Sequence, residues 1–244
     1  MELRRINIIA GHYGVGKTTV SLNLALQAAA AGEQVTLADL DVVNPYFRSA
    51  EYRELLEREG VRVIAPKFSE AGSNLDAPGL NGAIVPALEA DEGVLFIDAG
   101  GDDVGATALG RFEHQIEPRD HALFYVVNAL RIGTAETDEA VRILHEIEHA
   151  CRLKATGIIS NAHLMDETDL DIIEQGADFA DKVAVATGLP LSGITVLEAA
   201  LRAAQDADTP ASASLLSRLE SLEAVAPLIP ITPHVRTPWQ GTAA

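Results

Sequence analysis

The sequence predicts an α/β domain with a mostly parallel, twisted sheet and helices on both of its faces. Three observations support this fold class. Short apolar runs alternate with longer amphipathic stretches along most of the chain, as they do in βαβ units. The chain has 244 residues, of which 48% are hydrophobic, and this is enough for one full core. A glycine-rich segment, Gly11 to Thr19, follows the first apolar run, and ligands of such sheets bind where strands end.

Seven apolar runs are predicted as strands, and the last of them is confined to a sheet edge because Pro227 and Pro230 have no N–H to donate. The amphipathic stretches between them predict helices. Residues 1–232 are expected to form a single domain and residues 233–244, with two prolines and no periodicity, a C-terminal tail. The strands are Ile6–Ala10, Gln34–Asp39, Val61–Ala65, Val94–Asp98, Ala122–Asn128, Thr156–Asn161 and Leu228–Ile231, and three of the helices are Thr18–Ala31, Thr134–Cys151 and Thr168–Thr187.

The composition restricts the classes of function. A net charge of −18 repels nucleic acid and anionic lipid, so neither nucleic acid nor a membrane is expected as a partner. No apolar run approaches the roughly 18 residues of a membrane span, and Ile6–Ala10 is too short for the apolar core of a signal peptide. The single cysteine, Cys151, allows no disulfide or paired-cysteine metal site within one chain. We therefore expect a cytoplasmic protein.

The segment GHYGVGKTT matches the phosphate-binding pattern GxxxxGK[ST]. Its glycines let the backbone wrap closely, so that successive N–H groups point at phosphate oxygens, and the following helix N-terminus favours the same charge. Lys17 would reach the β- and γ-phosphates, and the Thr18 hydroxyl would ligate Mg²⁺. The domain is thus predicted to be a P-loop nucleotide-binding domain. Its expected nucleotide-binding residues here are Gly11, Gly14, Val15, Gly16, Lys17, Thr18 and Thr19.

Two acidic loops follow at later strand ends. Asp39 and Asp41 leave the second strand two residues apart, and VLFID ends in Asp98, with Gly101 completing a D-x-x-G pattern. Asp39 and Asp98 are expected to hold the waters of Mg²⁺. Asp41 is expected to orient the attacking water and the Gly101 N–H to sense the γ-phosphate, because hydrolysis depends on positioning and charge neutralisation.

These motifs resemble the MinD/ParA-like branch of P-loop proteins, which includes nitrogenase iron protein, arsenite-pump ATPases and cobyrinate amidase domains. The matching stretches are GHYGVGKTT, LADLD and FIDAGG, about thirty residues with their surroundings. The resemblance implies an ATPase whose two Asp-bearing loops respond to the γ-phosphate. It also implies that Asn161, in ISNAH, hydrogen-bonds the adenine edge, although an Asn at a strand end is often a turn residue.

One position departs from the pattern of this branch. Its dimerising members carry a signature lysine in KGGxGKT, and the corresponding residue here is His12, followed by Tyr13. Histidine is shorter than lysine and mostly neutral at pH 7, so His12 cannot simply replace a permanent cation that crosses a dimer interface. Either no ATP-bridged homodimer forms, or another cation, such as Arg48 or Arg131, supplies the charge.

Three further stretches leave their roles open. His145-Glu146-Ile147-Glu148-His149 matches the zinc-protease pattern HExxH, but helical spacing places both histidines opposite the apolar stripe, facing solvent. Asp102 and Asp103 are either exposed turn residues or need a cation or partner nearby. The Asn44–Arg48 stretch, NPYFR, either packs into the core or contacts a client.

Three functions fit the sequence. The first is an Mg-dependent ATPase that acts as a nucleotide-dependent switch for an unidentified protein or small-molecule client. The second is an ATP-dependent small-molecule ligase or kinase of the same branch, of the dethiobiotin synthetase or cobyrinate amidase type. The third, a nucleotide binder without hydrolysis, is disfavoured because the three carboxylates of Asp39, Asp41 and Asp98 suit hydrolysis.

Overall fold

The computed structural model describes residues 1–40, 52–65, 77–101, 103–131, 135–163, 168–205 and 210–234, without the side chains of residues 77–81, 103–104 and 211. Asp41, the Asn44–Arg48 stretch and Asp102 lie outside the described residues, and so does residue range 235–244. The expectations for these residues, and the division into one domain and a tail, therefore stay predictions.

The elements alternate between strands and helices along most of the chain. Strands follow the short apolar runs, and helices follow the amphipathic stretches between them. In chain order they are β1 (Ile6–Gly11), α1 (Lys17–Ala30), β2 (Val35–Asp39), α2 (Arg53–Arg58), β3 (Arg62–Ile64), α3 (Ala77–Glu89), β4 (Val94–Asp98), α4 (Asp103–Gly110), α5 (Glu113–Ile116), β5 (His121–Val127), α6 (Thr137–Cys151), β6 (Gly157–Ser160), α7 (Leu170–Thr187), β7 (Leu191–Leu197), α8 (Glu198–Gln205), α9 (Pro210–Val225) and β8 (Leu228–Ile231).

The described strands form one sheet of eight in the order β3-β2-β4-β1-β5-β6-β7-β8. Every neighbouring pair is parallel, so the predicted mostly parallel sheet is confirmed and is all parallel in the described residues. β8, which contains Pro230, lies at the edge, as its prolines predict.

Helices cover both faces of the sheet. Ile8 lies in a buried cluster with Leu88 of α3 and Leu144 of α6, whereas its neighbour Ile9 lies in a second cluster with Leu22 of α1. Adjacent strand residues point to opposite faces, so the two clusters are the two sides of one sheet. The predicted α/β fold with helices on both faces is confirmed. Within the described ranges, no helix combines the length and the apolar character that a membrane span requires.

The sequence patterns did not predict β7, with the sequence LSGITVL. Its apolar character is diluted by Ser192, Gly193 and Thr195, so it does not stand out as an apolar run. It is nevertheless buried between β6 and β8, and Ile194 and Val196 on one of its faces are fully covered.

The HExxH stretch lies on α6 with both histidines exposed, as predicted. The buried face of α6 consists of Ala140, Ile143, Leu144, Ile147 and Cys151. His145 Nδ1 lies 3.6 Å from Glu148 Oε2. Among the described residues there is no group of three or more His, Cys, Asp or Glu side chains that could hold a metal ion.

Candidate functional site

The glycine-rich segment forms the turn from β1 into α1. Gly11 ends β1 and Lys17 begins α1. Gly16 caps the helix with φ 91° and ψ 26°, a left-handed conformation that favours glycine. A Cβ at this position would also lie 2.2 Å from Asn161 Nδ2. The backbone of this loop therefore approaches the end of β6 more closely than any side chain would permit.

Lys17 lies between the glycine-rich segment and the loop after β4. Its side chain is only 7% exposed, and its Nζ donates a hydrogen bond to the His12 carbonyl oxygen over 3.1 Å. A Cβ on Gly101 would lie 2.6 Å from the same Nζ and 2.9 Å from Tyr13 N. The structure thus brings together Lys17 and Gly101, the two groups that the sequence assigned to the terminal phosphates.

The Asp98 carboxylate is held by two hydroxyl groups of α1. Thr18 Oγ1 donates to Asp98 Oδ2 over 2.8 Å, and Ser21 Oγ donates to Asp98 Oδ1 over 3.2 Å. Asp98 is 1% exposed, so burial strengthens these charge-assisted bonds. Ser21 did not emerge as a site residue from the sequence, although its spacing of three from Thr18 places both on one side of the helix.

Asp39 lies beside Asp98 at the carboxyl ends of the strands. The two residues are register partners on the neighbouring strands β2 and β4, and Asp39 is fully buried. The Leu40 N–H donates to the Asp98 carbonyl oxygen over 2.9 Å, which continues the pairing by one residue. Two carboxylates and the Thr18 hydroxyl therefore converge near the P-loop.

This donor set fits Mg²⁺. Mg²⁺ prefers hard oxygen ligands and keeps several waters, so one or two carboxylates, a hydroxyl and substrate phosphate oxygens are sufficient. Thr18 and Asp98 are already within hydrogen-bonding distance, at 2.8 Å, and Asp39 is adjacent to Asp98 in the sheet.

Asn161 is fully buried, and both ends of its amide are used. Its Nδ2 donates to the Val15 carbonyl oxygen over 2.7 Å. Its Oδ1 accepts a hydrogen bond from Thr195 Oγ1 over 2.8 Å. The predicted contact of Asn161 with adenine stays a prediction. Thr195 lies on β7 and was not a candidate, because the sequence patterns did not predict that strand.

His163 is a further buried polar residue beyond the carboxyl end of β6. It is 5% exposed, and its Nε2 would lie 3.4 Å from a Cβ on Gly16. Burial, and then the positive charge of Arg131, lower the pKa of His163 to about 4. His163 is therefore neutral at pH 7. The sequence offered no signal for it beyond its place two residues after Asn161.

The other predicted site residues differ in their exposure and position. Val15 and Thr19 are buried beneath the loop, whereas Gly14 and Tyr13 are exposed at its tip, Tyr13 by 56%. Arg131 is exposed in the turn after β5, and its N–H donates to the Asn128 carbonyl oxygen over 3.2 Å. Asp41 and Arg48 lie outside the described residues, so their assigned roles stay predictions.

Solved structures with a similar fold include three proteins at low sequence identity. Chloroplast FtsY from Physcomitrella patens has a TM-score of 0.52 at 18% identity over 79% of this chain, and FtsY from Mycoplasma mycoides 0.51 at 19% over 78%. The signal recognition particle 54 kDa protein from Aeropyrum pernix K1, solved in complex with GDP, has 0.55 at 17% over 91%. The chain spans 58%, 59% and 50% of those three chains, respectively. At these identities the likeness concerns the fold.

The sequence itself matches one family model, and a comparison with curated proteins gives no significant match. The matching model is the CobQ/CobB/MinD/ParA nucleotide-binding domain, over residues 6–175. This range includes the P-loop, Asp39, Asp98 and Asn161, and it ends within α7. The resemblance derived from the motifs is thereby confirmed at the level of the family. The chain belongs to the CobQ/CobB/MinD/ParA family of P-loop nucleotide-binding proteins.

Proposed function

We propose that this chain binds ATP with Mg²⁺, hydrolyses it, and acts as a nucleotide-dependent switch for a protein or small-molecule client. The observation that supports this most strongly is the hydrogen bond of 2.8 Å between Thr18 and Asp98. In this contact the hydroxyl of the P-loop helix lies against the carboxylate at the end of β4, and these are the kinds of oxygen ligand that the Mg²⁺ ion of a nucleoside triphosphate requires.

The binding roles follow from position. The loop from Gly11 to Thr19 directs its N–H groups toward phosphate oxygens, and Lys17 neutralises the charge of the β- and γ-phosphates. Thr18 ligates Mg²⁺, and Asp39 and Asp98 hold its waters. Mg²⁺, when bound, neutralises phosphate charge and supports the orientation of the terminal phosphate.

The hydrolytic roles involve the two acidic loops. Asp41 orients a water for attack on the γ-phosphorus, and the bond from that phosphorus to the bridging oxygen breaks to leave ADP and inorganic phosphate. The Gly101 N–H contacts the γ-phosphate and distinguishes ATP from ADP. This loop adjoins both Lys17 and Tyr13, so a change at Gly101 reaches the P-loop directly.

The preference for ATP rests on the resemblance to a family of ATPases, and no NKxD-type guanine-binding motif occurs in the chain. GTP is the alternative to compare, because one structure with a similar fold contains GDP. A direct comparison of ATP and GTP affinities decides between them.

A homodimer that encloses ATP would need a cation at its interface. His12 stands at the position of the signature lysine, and Tyr13 beside it is exposed. We infer that His12 does not supply this charge. Arg131 is exposed and lies in the turn that follows the carboxyl end of β5, the strand paired with β1, so it is the described candidate for the role.

An ATP-dependent ligase or kinase acting on a small molecule is the second candidate. The matching family model includes CobQ and CobB in its description, and this favours metabolite chemistry as the alternative to a switch. Turnover that requires an added metabolite would identify this second function. Turnover of ATP alone favours the switch.

The proposed function is tested by calorimetric titration of the purified protein with ATP and with GTP in the presence of Mg²⁺, with molar mass measured by light scattering in each state. We expect ATP to bind more tightly than GTP. The Lys17→Ala variant should lose binding, and Lys182→Ala, which removes an exposed lysine of α7, should keep it. A wild-type protein that binds neither nucleotide would contradict the proposal.

A further inference from the structure

Two hydrogen bonds connect β7, the strand beside the edge strand β8, to the P-loop. Thr195 Oγ1 donates to Asn161 Oδ1 over 2.8 Å, and Asn161 Nδ2 donates to the Val15 carbonyl oxygen over 2.7 Å. We propose that Asn161 and Thr195, together called the brace, hold the P-loop in its phosphate-binding shape. Thr195 is then a positioning residue for nucleotide binding. This inference rests on the proposed function, because it concerns the same phosphate site.

The hydrogen-bonding chemistry of the Val15 carbonyl and the Thr195 hydroxyl fixes which end of the Asn161 amide faces each of them. The Val15 carbonyl can only accept, so it requires the Nδ2 end of the amide. The Oδ1 end then points to β7, where the Thr195 hydroxyl donates to it. Asn161 is 0% and Thr195 2% exposed, so bulk water does not reach either partner. Without the Thr195 hydroxyl, a buried carbonyl oxygen of the amide would lose its hydrogen bond, which is costly in a protein interior.

The sheet register places the two brace residues side by side. Ser160, the last residue of β6, is the register partner of Ile194 of β7, and Asn161 directly follows Ser160 as Thr195 follows Ile194, so the two residues lie side by side. Thr195 is in turn paired with Ile229 of the edge strand β8. The pairing of β6 with β7 therefore fixes the brace residues. Through the bond from Asn161 to the Val15 carbonyl, these two strands also fix the position of the P-loop.

Gly16 lets the loop come close enough for the brace to act. A Cβ on Gly16 would lie 2.2 Å from Asn161 Nδ2, and the residue has φ 91°. Val15, whose carbonyl accepts from the brace, directly precedes Gly16, and Lys17 directly follows it. A change in the orientation of the Asn161 amide would thus shift the backbone beside Lys17, which is the cation that meets the phosphates.

The brace predicts a role for Asn161 that does not depend on the base. The contribution that the bonds of Asn161 to Val15 and Thr195 make to affinity should be the same for any ligand that carries the triphosphate group, because these bonds act on the loop and not on the base. A residue that contacts the adenine edge would instead contribute to ATP affinity only. Inorganic tripolyphosphate, which has no base, separates the two roles.

The experiment compares the affinities of ATP, GTP and inorganic tripolyphosphate, each with Mg²⁺, by titration calorimetry well below the unfolding temperature. Thr195→Val removes the hydroxyl and keeps the shape, whereas Thr195→Ser retains the hydroxyl. We expect Thr195→Val and Asn161→Ala to lower the binding affinity for all three ligands by the same factor, about tenfold or more. Thr195→Ser should restore affinity to near the wild-type value.

Thr156→Val, at an exposed position, is the control for the loss of a threonine hydroxyl. The Thr156 hydroxyl also bonds within the sheet, to the backbone of Leu123, but at the amino end of β6, away from the P-loop. This variant should keep the wild-type affinities even where its unfolding temperature falls, so an effect on stability alone is separated from an effect on the loop.

Other results would overturn the inference. Unchanged affinities in Thr195→Val would remove Thr195 from this role. Weaker binding of ATP alone in Asn161→Ala, with GTP and tripolyphosphate unaffected, would make Asn161 a contact for adenine and not a brace. A wild-type protein that binds none of the three ligands would refute the proposed function, and the inference with it.

Discussion

Thr18 donates a hydrogen bond to Asp98 over 2.8 Å, although 80 residues separate them in the sequence. The contact joins the first turn of α1 to the end of β4, and Ser21 adds a second hydroxyl to the same carboxylate. It forms because β1, which leads into the P-loop, is paired directly with β4 in the sheet.

An Asp98→Asn substitution tests the charge of this carboxylate. Asn keeps the shape and can bond to both hydroxyls, since a hydroxyl can donate or accept, so the fold should be retained. The negative charge that we propose attracts Mg²⁺ is lost, and we expect phosphate release to fall by at least about a hundredfold. Phosphate release is measured across a range of Mg²⁺ concentrations. Asp178→Asn, at an exposed position of α7, is the control, and equal activity of the two variants would speak against the role of Asp98.

Gly101→Ala tests the close approach between the P-loop and the loop after β4. The added Cβ would lie 2.6 Å from Lys17 Nζ and 2.9 Å from Tyr13 N, so either the loop or the lysine must move. We expect ATP turnover to fall by about tenfold or more, because small displacements of positioned groups are costly to catalysis. The control is Gly82→Ala in α3, where an added Cβ meets no atom within 4 Å. Wild-type turnover in Gly101→Ala would mean that this loop does not act on the phosphates.

Asp41→Ala should separate binding from hydrolysis. If Asp41 orients the attacking water, its removal leaves the P-loop and the metal ligands intact while the chemical step is lost. ATP affinity by calorimetry should stay within about threefold of the wild type, and phosphate release should fall by about a hundredfold or more. Normal turnover in this variant would assign the water to another group.

His163 predicts a particular pH dependence of stability. Its pKa is lowered from 6.5 to about 4 in the folded protein, so between these values the unfolded chain binds more protons than the native protein. Stability from this residue is thus present above pH 6.5 and is lost as the pH falls toward 4. Between pH 7 and pH 5 the loss is about 2 kcal/mol of unfolding free energy.

The measurement is urea unfolding at a series of pH values for the wild type and for His163→Gln. The variant should lose less stability on acidification, by about 2 kcal/mol, because Gln does not titrate. His149→Gln, on the exposed face of α6, should keep the wild-type profile. Identical profiles for the wild type and His163→Gln would show that folding does not lower the pKa of His163.

Most of the fold could be predicted because its signals are local. The apolar runs that became β1, β2 and β4 begin and end within one residue of the expected positions, since buried parallel strands are continuous hydrophobic segments. The buried face of α6 also follows from helical spacing alone. The strand β7 was missed because Ser192, Gly193 and Thr195 interrupt its apolar character; the preceding Gly188 and Pro190, followed by the β-branched Ile194, Thr195 and Val196, are the signal that could have indicated it.

Candidate site residues could be predicted from the sequence only where they belong to a known motif. Lys17, Thr18 and Asp98 stand in recognisable patterns, so their residue numbers follow from the sequence. Ser21 and Thr195 do not, because their importance comes from partners 77 and 34 residues away and depends on the order and register of the strands. A single sequence contains no local signal for such pairings.

Phosphate release from ATP by the purified protein in the presence of Mg²⁺ tests the central claim most directly, with Lys17→Ala measured alongside. We predict steady release by the wild type without any added metabolite or partner and none above background by Lys17→Ala. A wild-type protein that binds ATP but releases no phosphate under these conditions would contradict the proposed ATPase switch.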